Sequence, residues 1–130
     1  VIGNEVSKHS CVISLGGSVV NNLSGIVASM VYRCIALVHI TTTTMGMLDD
    51  RIDFKQAVNH KLGKNLLGCY YPASTILMDP ETLAALSKRH VLNGIAEALK
   101  HGMAQSWALV DLITEPLRER GDDALRDSKF

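Results

Sequence analysis

The sequence predicts an α/β fold in which a partial parallel sheet is followed by the start of a helical region. Two strands are expected over residues 11–15 and 35–40, because each is a short apolar run. Between them, apolar residues recur every three or four positions over residues 19–32, which is the spacing of a helix. Strand, helix and strand in this order favour a parallel unit with a helical crossover.

Turn and capping residues delimit the elements that follow. We expect a short helix over 45–50, an extended segment over 53–58, a turn over 68–72 and a third apolar strand over 74–78. Asp79, Pro80 and Glu81 supply a cap, a proline at the first helical position and an acid for the helix dipole. A helix is therefore expected from this point to Leu86.

The last third of the sequence predicts one long helix and an incomplete element after it. The helix is expected over about residues 89–113, and Pro116 is expected to end it because proline disrupts a helix interior. Residues 115–129 are charged and short of apolar side chains, so no independent domain is expected there.

Composition and charge favour a cytoplasmic globular protein, either one domain or a piece of one. Of the 130 residues 47% are hydrophobic, and thirteen basic residues balance thirteen acidic ones, so no overall field attracts nucleic acid or an anionic membrane. No apolar run is long enough to suggest a membrane span, and the start does not resemble a signal peptide. Cys11, Cys34 and Cys69 are odd in number and lie among apolar neighbours, so buried free thiols are expected.

A basic stretch over residues 55–65 predicts a site for an anion. Three lysines and two asparagines surround Gly63; they are Lys55, Lys61, Lys64, Asn59 and Asn65. Ammonium groups attract an anion, and amides suit directed hydrogen bonds to hydroxyl groups. A solvated turn is the alternative reading of the same residues.

Two short polar segments follow the first two predicted strands. Gly16, Gly17 and Ser18 lie between a strand and a helix, where backbone N–H groups and the helix dipole can receive a phosphate. The threonines at 41–44 follow the next strand, at the sheet edge where α/β proteins bind ligands. An ordinary tight turn and a polar loop are the alternatives.

The long helix carries a possible metal-binding face. His90, Glu97 and His101 are separated by seven and four residues, which places them near one face, and Lys100 lies one turn from Glu97. A glutamate and a histidine can ligate a divalent metal, although zinc normally takes three protein ligands. A solvated helix face is the alternative.

Several motifs, taken together, resemble those of the sugar phosphate cyclase family, the dehydroquinate synthase-like enzymes. The motifs are GGSVVNNLSG at 16–25, YR at 32–33, VHITTT at 38–43, LD at 48–49, KQAVN at 55–59, GKNLLG at 63–68 and GIAEALK at 94–100. Their order and spacing are specific together, and the resemblance extends over about residues 11–112. It implies the C-terminal part of a Rossmann-like NAD-binding domain over residues 1–79, and the beginning of a helical metal- and substrate-binding domain over 80–130.

The resemblance also implies a reaction. Enzymes of this family use bound NAD⁺ to oxidise a sugar carbinol transiently, which acidifies the neighbouring C–H so that phosphate can leave. The ketone is then reduced back, and the ring opens and recloses as a carbocycle with the help of a divalent zinc or cobalt ion. The implied partner is a sugar phosphate, and family members are commonly homodimers.

Family roles transfer to matching positions of this sequence. Cofactor contacts are implied for Gly16, Gly17, Asn22, Thr42 and Thr43, and metal ligation for Glu97. Catalytic roles are implied for Asp49, Lys55 and Lys100. Substrate or phosphate contacts are implied for Arg33, Asn59, Lys64 and Asn65. His60 and Lys61 are expected to be bystanders.

Within the family, Asn22 and the Gln56-Ala57 pair resemble the 2-deoxy-scyllo-inosose synthases, which cyclise glucose 6-phosphate. Residues 96–102 resemble the dehydroquinate enzymes more, so a 3-dehydroquinate or aminodehydroquinate synthase is the alternative. The chain departs from the family where Ser18 replaces a glycine, Cys34 replaces a glycine and Thr41 replaces a proline. Asp50, Arg51, Asp53 and Phe54 also add charge and bulk where small residues are common.

The family has further segments that this sequence does not contain, including one that supplies two histidine metal ligands. Glu97 alone does not make a catalytic metal site, so the isolated chain is expected to be inactive. His90 or His101 could take the place of a missing histidine. A non-catalytic remnant that binds at most nucleotide or partners is the alternative of another class.

Overall fold

Two sheets form in the part of the chain that the computed structural model describes, residues 5–49 and 54–126. The first is a parallel sheet in the order β1-β2-β5, made of β1 (Cys11–Gly16), β2 (Ala36–Thr41) and β5 (Thr75–Met78). The second is an antiparallel hairpin of β3 (Lys55–His60) and β4 (Gly63–Tyr70). The predicted α/β class and its parallel sheet are confirmed.

Four α-helices accompany the sheets in the described residues. They are α1 (Ser18–Met30), α2 (Thr44–Leu48), α3 (Lys88–Gln105) and α4 (Trp107–Arg120). Short 3₁₀ helices cover Val31–Arg33, Pro80–Ala85 and Gly121–Arg126. Within these residues, no helix combines the length and the apolar character needed to cross a bilayer.

The parallel pairing brings the ends of β1 and β2 together. Gly16 lies opposite Thr41 in the register, and the Thr42 N–H donates to the Gly16 carbonyl at 3.1 Å. The glycine turn after β1 and the threonines after β2 therefore lie side by side at the carboxyl edge of the sheet, as the strand order predicts.

A small apolar core and a buried polar group hold α1 to the sheet. Ala28 and Leu37 are fully buried within the core. Beside it, the Ser14 hydroxyl lies 2.7 Å from Asn21 Oδ1 and 2.6 Å from His39 Nδ1, and all three side chains are buried. This group links β1, α1 and β2, because each strand and the helix contributes one member. Buried polar groups are tolerated when they bond in this way.

The hairpin corrects two sequence expectations. The segment read as an anion-binding loop is largely two paired strands, and the turn expected over 68–72 is wrong for its first residues, since Gly68 pairs with Ala57. The turn lies instead at Lys61 and Leu62. Of the extended segment expected over 53–58, β3 confirms the part from Lys55, and residue 53 lies outside the described residues.

The helical region also differs from expectation. The helix expected up to Leu86 is a 3₁₀ helix, and the long helix breaks at Ser106, whose extended backbone separates α3 from α4. Pro116 does not end a helix but lies inside α4. That helix continues because Ile113 and Leu117, on either side of the proline, pack against α3.

Part of the charged tail is packed as well. Ala124 in the last 3₁₀ helix is fully buried, and Leu125 contacts the core between α3 and α4. The tail is therefore helical and partly packed up to residue 126, and residues 127–129 lie outside the described part.

The cysteines are free, as predicted, but the expected burial is wrong for two of them. Cys11 and Cys34 are exposed and Cys69 is half-buried. Cys11 lies on β1, at the edge of the sheet, which explains its exposure. Cys34 ends a run of three residues with positive φ, the others being Tyr32 and Arg33.

We expect Cys34→Gly to stabilise the protein. Cys34 has φ 96° and ψ 111°, a positive-φ conformation that costs a residue with a side chain more than it costs glycine. Relief of strain of about 1–3 kcal/mol should exceed the roughly 0.5–1 kcal/mol that the greater freedom of glycine costs in the unfolded chain. Urea denaturation measures the free energy of unfolding. Cys34→Ala is the matched control, since it removes the thiol and keeps the strain, and equal effects of the two changes would contradict the explanation.

Candidate functional site

A cavity of about 730 Å³ lies between the start of α1 and the hairpin. Six residues predicted from the sequence line it; they are Asn22, Asp49, Lys55, Asn59, Lys64 and Asn65. The lining also includes apolar side chains from α1 and β4, among them Leu23 and Leu66. The structure thus collects cationic, amide and carboxylate groups that are up to 43 positions apart (22 to 65) around one space.

The amide of Asn59 has a defined task within the hairpin. Its Oδ1 accepts from the backbone N–H of Asn65 at 3.3 Å, and Asn65 adopts φ 55°, a left-handed conformation that asparagine tolerates better than most residues. At the turn, His60 Nδ1 accepts from the Leu62 N–H at 3.3 Å. These bonds shape the end of the hairpin on which Lys64 stands.

Helix α1 holds the hairpin through a side-chain amide. Asn22 Oδ1 accepts from the Ala57 N–H at 3.1 Å, and Asn22 Nδ2 donates to the Ser18 carbonyl at 2.9 Å. One turn further, a Cβ on Gly25 would lie 2.2 Å from Gln56 Oε1, so the buried Gln56 side chain occupies the space that glycine leaves. The predicted contact of Asn22 with a cofactor stays a prediction, and these bonds give the residue a structural role in addition.

The glycine turn after β1 and the threonine segment after β2 both border a smaller cavity of about 340 Å³. Gly17 precedes α1, and a Cβ there would lie 2.9 Å from Thr43 Cγ2. Thr43 in turn caps α2, since its Oγ1 accepts from the Gly46 N–H at 3.1 Å. The first turn of α1 thus begins in a narrow and largely apolar corner, beside Thr42 and Thr43.

Arg33 lies elsewhere in the described structure. It follows the far end of α1, about 20 Å along the helix from Gly17 by the rise of 13 helical residues. Arg33 lines neither cavity of the described part. Its predicted role at a phosphate stays a prediction, because Arg33 does not lie with the other predicted site residues.

The docking of α2 on α3 positions the second polar group of the site. The Thr44 hydroxyl donates to the His90 carbonyl at 2.9 Å, and a Cβ on Gly94 would lie 2.3 Å from Thr44 Cβ. Glycine is therefore required for this close approach. The contact carries Asp49, which follows α2, toward the middle of α3.

Asp49, Glu97 and His101 form a carboxylate and imidazole cluster at this junction. Their ligand atoms all lie within 4.8 Å of one another. His101 Nε2 is 3.3 Å from Glu97 Oε1 and 3.5 Å from Asp49 Oδ1. His90 was predicted on the same face but takes no part in this cluster, and it lines the smaller cavity instead. Asp49 lines the larger cavity too, so the cluster borders it.

Lys100 pairs with Glu97 and changes its acidity. The hydrogen bond from the Lys100 ammonium lowers the pKa of the Glu97 carboxyl below its ordinary value, although partial desolvation acts in the opposite direction. The same bond raises the pKa of Lys100. Glu97 is therefore held as an anion, which is the form that binds a cation.

Comparison with known proteins identifies the family. A family model described as 3-dehydroquinate synthase N-terminal matches residues 1–93. The chain belongs to the 3-dehydroquinate synthase family. It is 39% identical over 124 residues to the 2-deoxy-scyllo-inosose synthase of Streptoalloteichus tenebrarius, covering 93% of this chain and 32% of that protein. It is 35% identical over 123 residues to the 3-dehydroquinate synthase of Tropheryma whipplei, covering 95% of this chain and 32% of that one.

Solved structures of the same family agree. A crystal structure of 2-deoxy-scyllo-inosose synthase complexed with carbaglucose-6-phosphate, NAD⁺ and Co²⁺ matches with a TM-score of 0.73 and 35% identity. The match covers 76% of this chain and 27% of the other. The chain thus spans about a third of the length of the curated relatives it matches. The resemblance predicted from the motifs is confirmed.

Two features of the candidate site were not predicted from the sequence. The proximity of Asp49 to His101 depends on the docking of α2 and α3, which no spacing within one element reveals. Gln56 was noted only as a difference between subgroups, whereas its buried side chain contacts α1 beside Gly25. The signal available was the small-residue side of α1, which does predict close packing against that helix.

We expect Asn22→Ala to loosen the joint between α1 and the hairpin. The change removes the acceptor for the Ala57 N–H, so that amide should exchange with solvent faster in NMR hydrogen-exchange measurements. Asn22→Asp is the matched control because a carboxylate keeps the acceptor. Equal protection of Ala57 in both variants would show that Asn22 does not hold the hairpin.

Removal of the Lys100 ammonium should raise the pKa of Glu97 toward its ordinary value, because the lowering comes first from that hydrogen bond. The pKa of Glu97 is lower in the folded chain than in the unfolded chain. The ion pair therefore stabilises the fold at pH values above the unfolded pKa, and this stabilisation is lost as the pH falls through the folded pKa. A carboxyl ¹³C NMR titration of Lys100→Met measures the change. Arg89→Met removes a cation two turns earlier on α3 and should leave the Glu97 titration unchanged; an equal effect would point to overall charge instead.

Proposed function

We propose that this chain is the central part of an NAD- and metal-dependent sugar phosphate cyclase that eliminates phosphate and closes a carbocycle. The proposed substrate is glucose 6-phosphate, as for a 2-deoxy-scyllo-inosose synthase. The observation that carries the proposal is the larger cavity, where two lysines, three asparagines and an aspartate meet. The related enzyme of similar fold binds carbaglucose-6-phosphate, NAD⁺ and Co²⁺, which supports each of the three components.

The hairpin supplies what a sugar phosphate needs. Lys64 and Lys55 stand on neighbouring strands that line the same cavity, so a phosphate group between them would meet positive charge from two directions. Asn65 can direct its amide to an oxygen, while Asp49 can accept from sugar hydroxyls on the opposite side. Cationic groups in such a place bind phosphate and also stabilise it as it departs.

The edge of the parallel sheet suits a dinucleotide. Gly17 offers no side chain at the start of α1, so the first N–H groups of that helix can receive an anion. Thr42 and Thr43 lie beside this turn. Bound NAD⁺ supplies a hydride acceptor for the carbinol, and the proposed task of these residues is to hold it by its polar groups. Ser18 adds a side chain at a position where glycine is usual in the family, which leaves less room for a cofactor at this turn.

Glu97 is the proposed metal ligand of this chain. It is ionised, partly buried and adjacent to the substrate cavity through Asp49, and carboxylate oxygen is a suitable donor for Zn²⁺ or Co²⁺. Such an ion, held by Glu97, would supply a Lewis acid for the hydroxyl that is oxidised. The role that we propose for Lys100, which lies beside Glu97, is to act on the substrate.

A 3-dehydroquinate synthase is the second candidate. The relative from Tropheryma whipplei matches over a similar length at 35% identity, and residues 96–102 resemble that subgroup. The residues that line the larger cavity bear on the choice between the two substrates, and the Gln56-Ala57 pair in that lining favours the inosose synthases. The alternative of a non-catalytic remnant can be tested from the reading frame around this chain. A cyclase requires that the frame continue into a segment that encodes further metal ligands, whereas stop codons on both sides would favour a remnant. The wider proposal includes a homodimer and a cytoplasmic location.

The decisive test is phosphate release by a longer polypeptide that contains this chain and the segments present in its relatives. With NAD⁺ and Co²⁺ or Zn²⁺, it should release inorganic phosphate from glucose 6-phosphate. Release only from the phosphorylated precursor of dehydroquinate would favour the second candidate. No release from either substrate would reject the cyclase.

Lys64→Ala in that polypeptide should lower turnover by roughly a hundredfold, as expected when one group that stabilises developing charge is removed. Lys61→Ala is the matched control, because Lys61 lies in the turn of the same hairpin and does not line the cavity. Steady-state phosphate release measures both variants. Similar turnover of Lys64→Ala and Lys61→Ala would exclude the role given to Lys64.

A further inference from the structure

A chain of hydrogen bonds runs through the interior from β2 to the glycine turn after β1. Its side chains belong to His39, Ser14 and Asn21, and each is at most 2% exposed. The Ser14 oxygen lies 2.6 Å from His39 Nδ1 and 2.7 Å from Asn21 Oδ1, and Asn21 Nδ2 donates to the Gly16 carbonyl at 3.0 Å. The function proposed above gives these three buried side chains no task.

The available donors and acceptors determine the direction of every bond in this chain. The Asn21 amide presents Nδ2 to the Gly16 carbonyl, because the opposite orientation would bring two acceptor oxygens together. Its Oδ1 therefore faces Ser14 and can only accept, so the single hydroxyl proton of Ser14 goes to Asn21. The Val38 carbonyl, 3.4 Å from the Ser14 oxygen, is too distant to compete for that proton. The contact between Ser14 and His39 is then a hydrogen bond only if His39 Nδ1 carries a proton.

The bonds end on a peptide group at the start of α1. The Gly16 carbonyl accepts from Asn21 Nδ2 and also from the Thr42 N–H at 3.1 Å. The peptide bond between Gly16 and Gly17 is trans and planar, so the Gly17 N–H points away from these two donors. A fixed carbonyl thus fixes the direction of an N–H group at the turn where the dinucleotide is proposed to bind.

We propose that Asn21, held in one orientation by Ser14 and His39, is a positioning residue for the cofactor turn. Its amide fixes the peptide group between Gly16 and Gly17 before the cofactor arrives, which lowers the cost of ordering that group on binding. This inference rests on the proposed function for the identity of the cofactor. It goes beyond that function by assigning a task to buried side chains that line neither of the two cavities described above.

The first test concerns the proton on His39 Nδ1 and needs no cofactor. In ¹⁵N NMR spectra of the chain labelled at histidine, a ring nitrogen that carries a proton is distinguished from one that does not. The His39 signals are those that His39→Asn removes. We expect a protonated Nδ1. An Nδ1 without a proton would overturn the proposal, because Ser14 would then donate to His39 and would not hold the Asn21 amide.

The second test is NAD⁺ binding to the longer polypeptide, measured by isothermal titration calorimetry. Ser14→Ala and Asn21→Leu should each weaken binding about tenfold, the effect of roughly one hydrogen bond. The double variant should bind no more weakly than the weaker of the two single variants, because residues of one hydrogen-bond network do not act additively. Ser29→Ala is the matched control, since it removes a partly buried hydroxyl near the other end of α1 and should leave the affinity unchanged.

Thermal unfolding followed by circular dichroism shows which variants are folded. If Asn21→Leu does not fold, Ser14→Ala, which deletes a single oxygen atom, decides the result. Affinity equal to that of Ser29→Ala in the folded network variants, or additive losses in the double variant, would reject the positioning role alone. Failure of the unchanged longer polypeptide to bind NAD⁺ would instead reject the proposed cofactor, and the positioning role with it.

Discussion

The close approach of the hairpin to helix α1 is the contact on which the candidate site depends. A two-stranded hairpin is at best marginally stable in water by itself, so its position must come from a neighbour. Gln56 fills the space above Gly25, and the Asn22 amide accepts from the Ala57 N–H. Both contacts lie on one face of α1, one turn apart. The cavity exists because this face holds two strands that have no place in the parallel sheet.

A second joint, made in the same way, connects the sheet to the helical region. Gly94 lets α3 approach Thr44, whose hydroxyl then reaches a backbone carbonyl of α3. In each joint a helical glycine removes the Cβ and a polar side chain from the other element uses the space. Glycine lowers helix stability by roughly 1 kcal/mol relative to alanine, so its presence at both positions is explained by the approach it permits. The larger cavity and the cluster of Asp49, Glu97 and His101 adjoin because Asp49 belongs to both.

The parallel sheet could be predicted from sequence because its signals are local. The runs at β1, β2 and β5 are apolar and end in turn residues, and the helical period between the first two is clear. The hairpin could not, because β3 and β4 contain few β-branched residues and the Lys61-Leu62 turn lacks the usual asparagine and glycine. Pro116 misled for the opposite reason: its local signal is strong, but the packing of Ile113 and Leu117 overrides it. The roles proposed for the site residues come from the family resemblance. The proximity of Asp49 to His101, in contrast, depends on the tertiary packing of α2 on α3 and has no signal in the sequence.

The exposure of the hairpin lysines bears on how an anion would be held. Lys55 and Lys64 are both exposed, and a charge pair 4 Å apart contributes about 1 kcal/mol in bulk water but about 4 kcal/mol at the effective dielectric constant near a protein surface. If these lysines bind a phosphate as proposed, covering of the cavity by further protein would strengthen the Coulomb attraction between them, while desolvation of the charges would oppose binding. Side chains beside it are also uncovered, with Val19 83% and Leu23 53% exposed on the side of α1 that lines the cavity. A protein segment that covered the cavity would bury these apolar side chains. It would also lower the effective dielectric constant around Lys55 and Lys64. Affinity for the proposed sugar phosphate and burial of this apolar surface are thus expected to rise together.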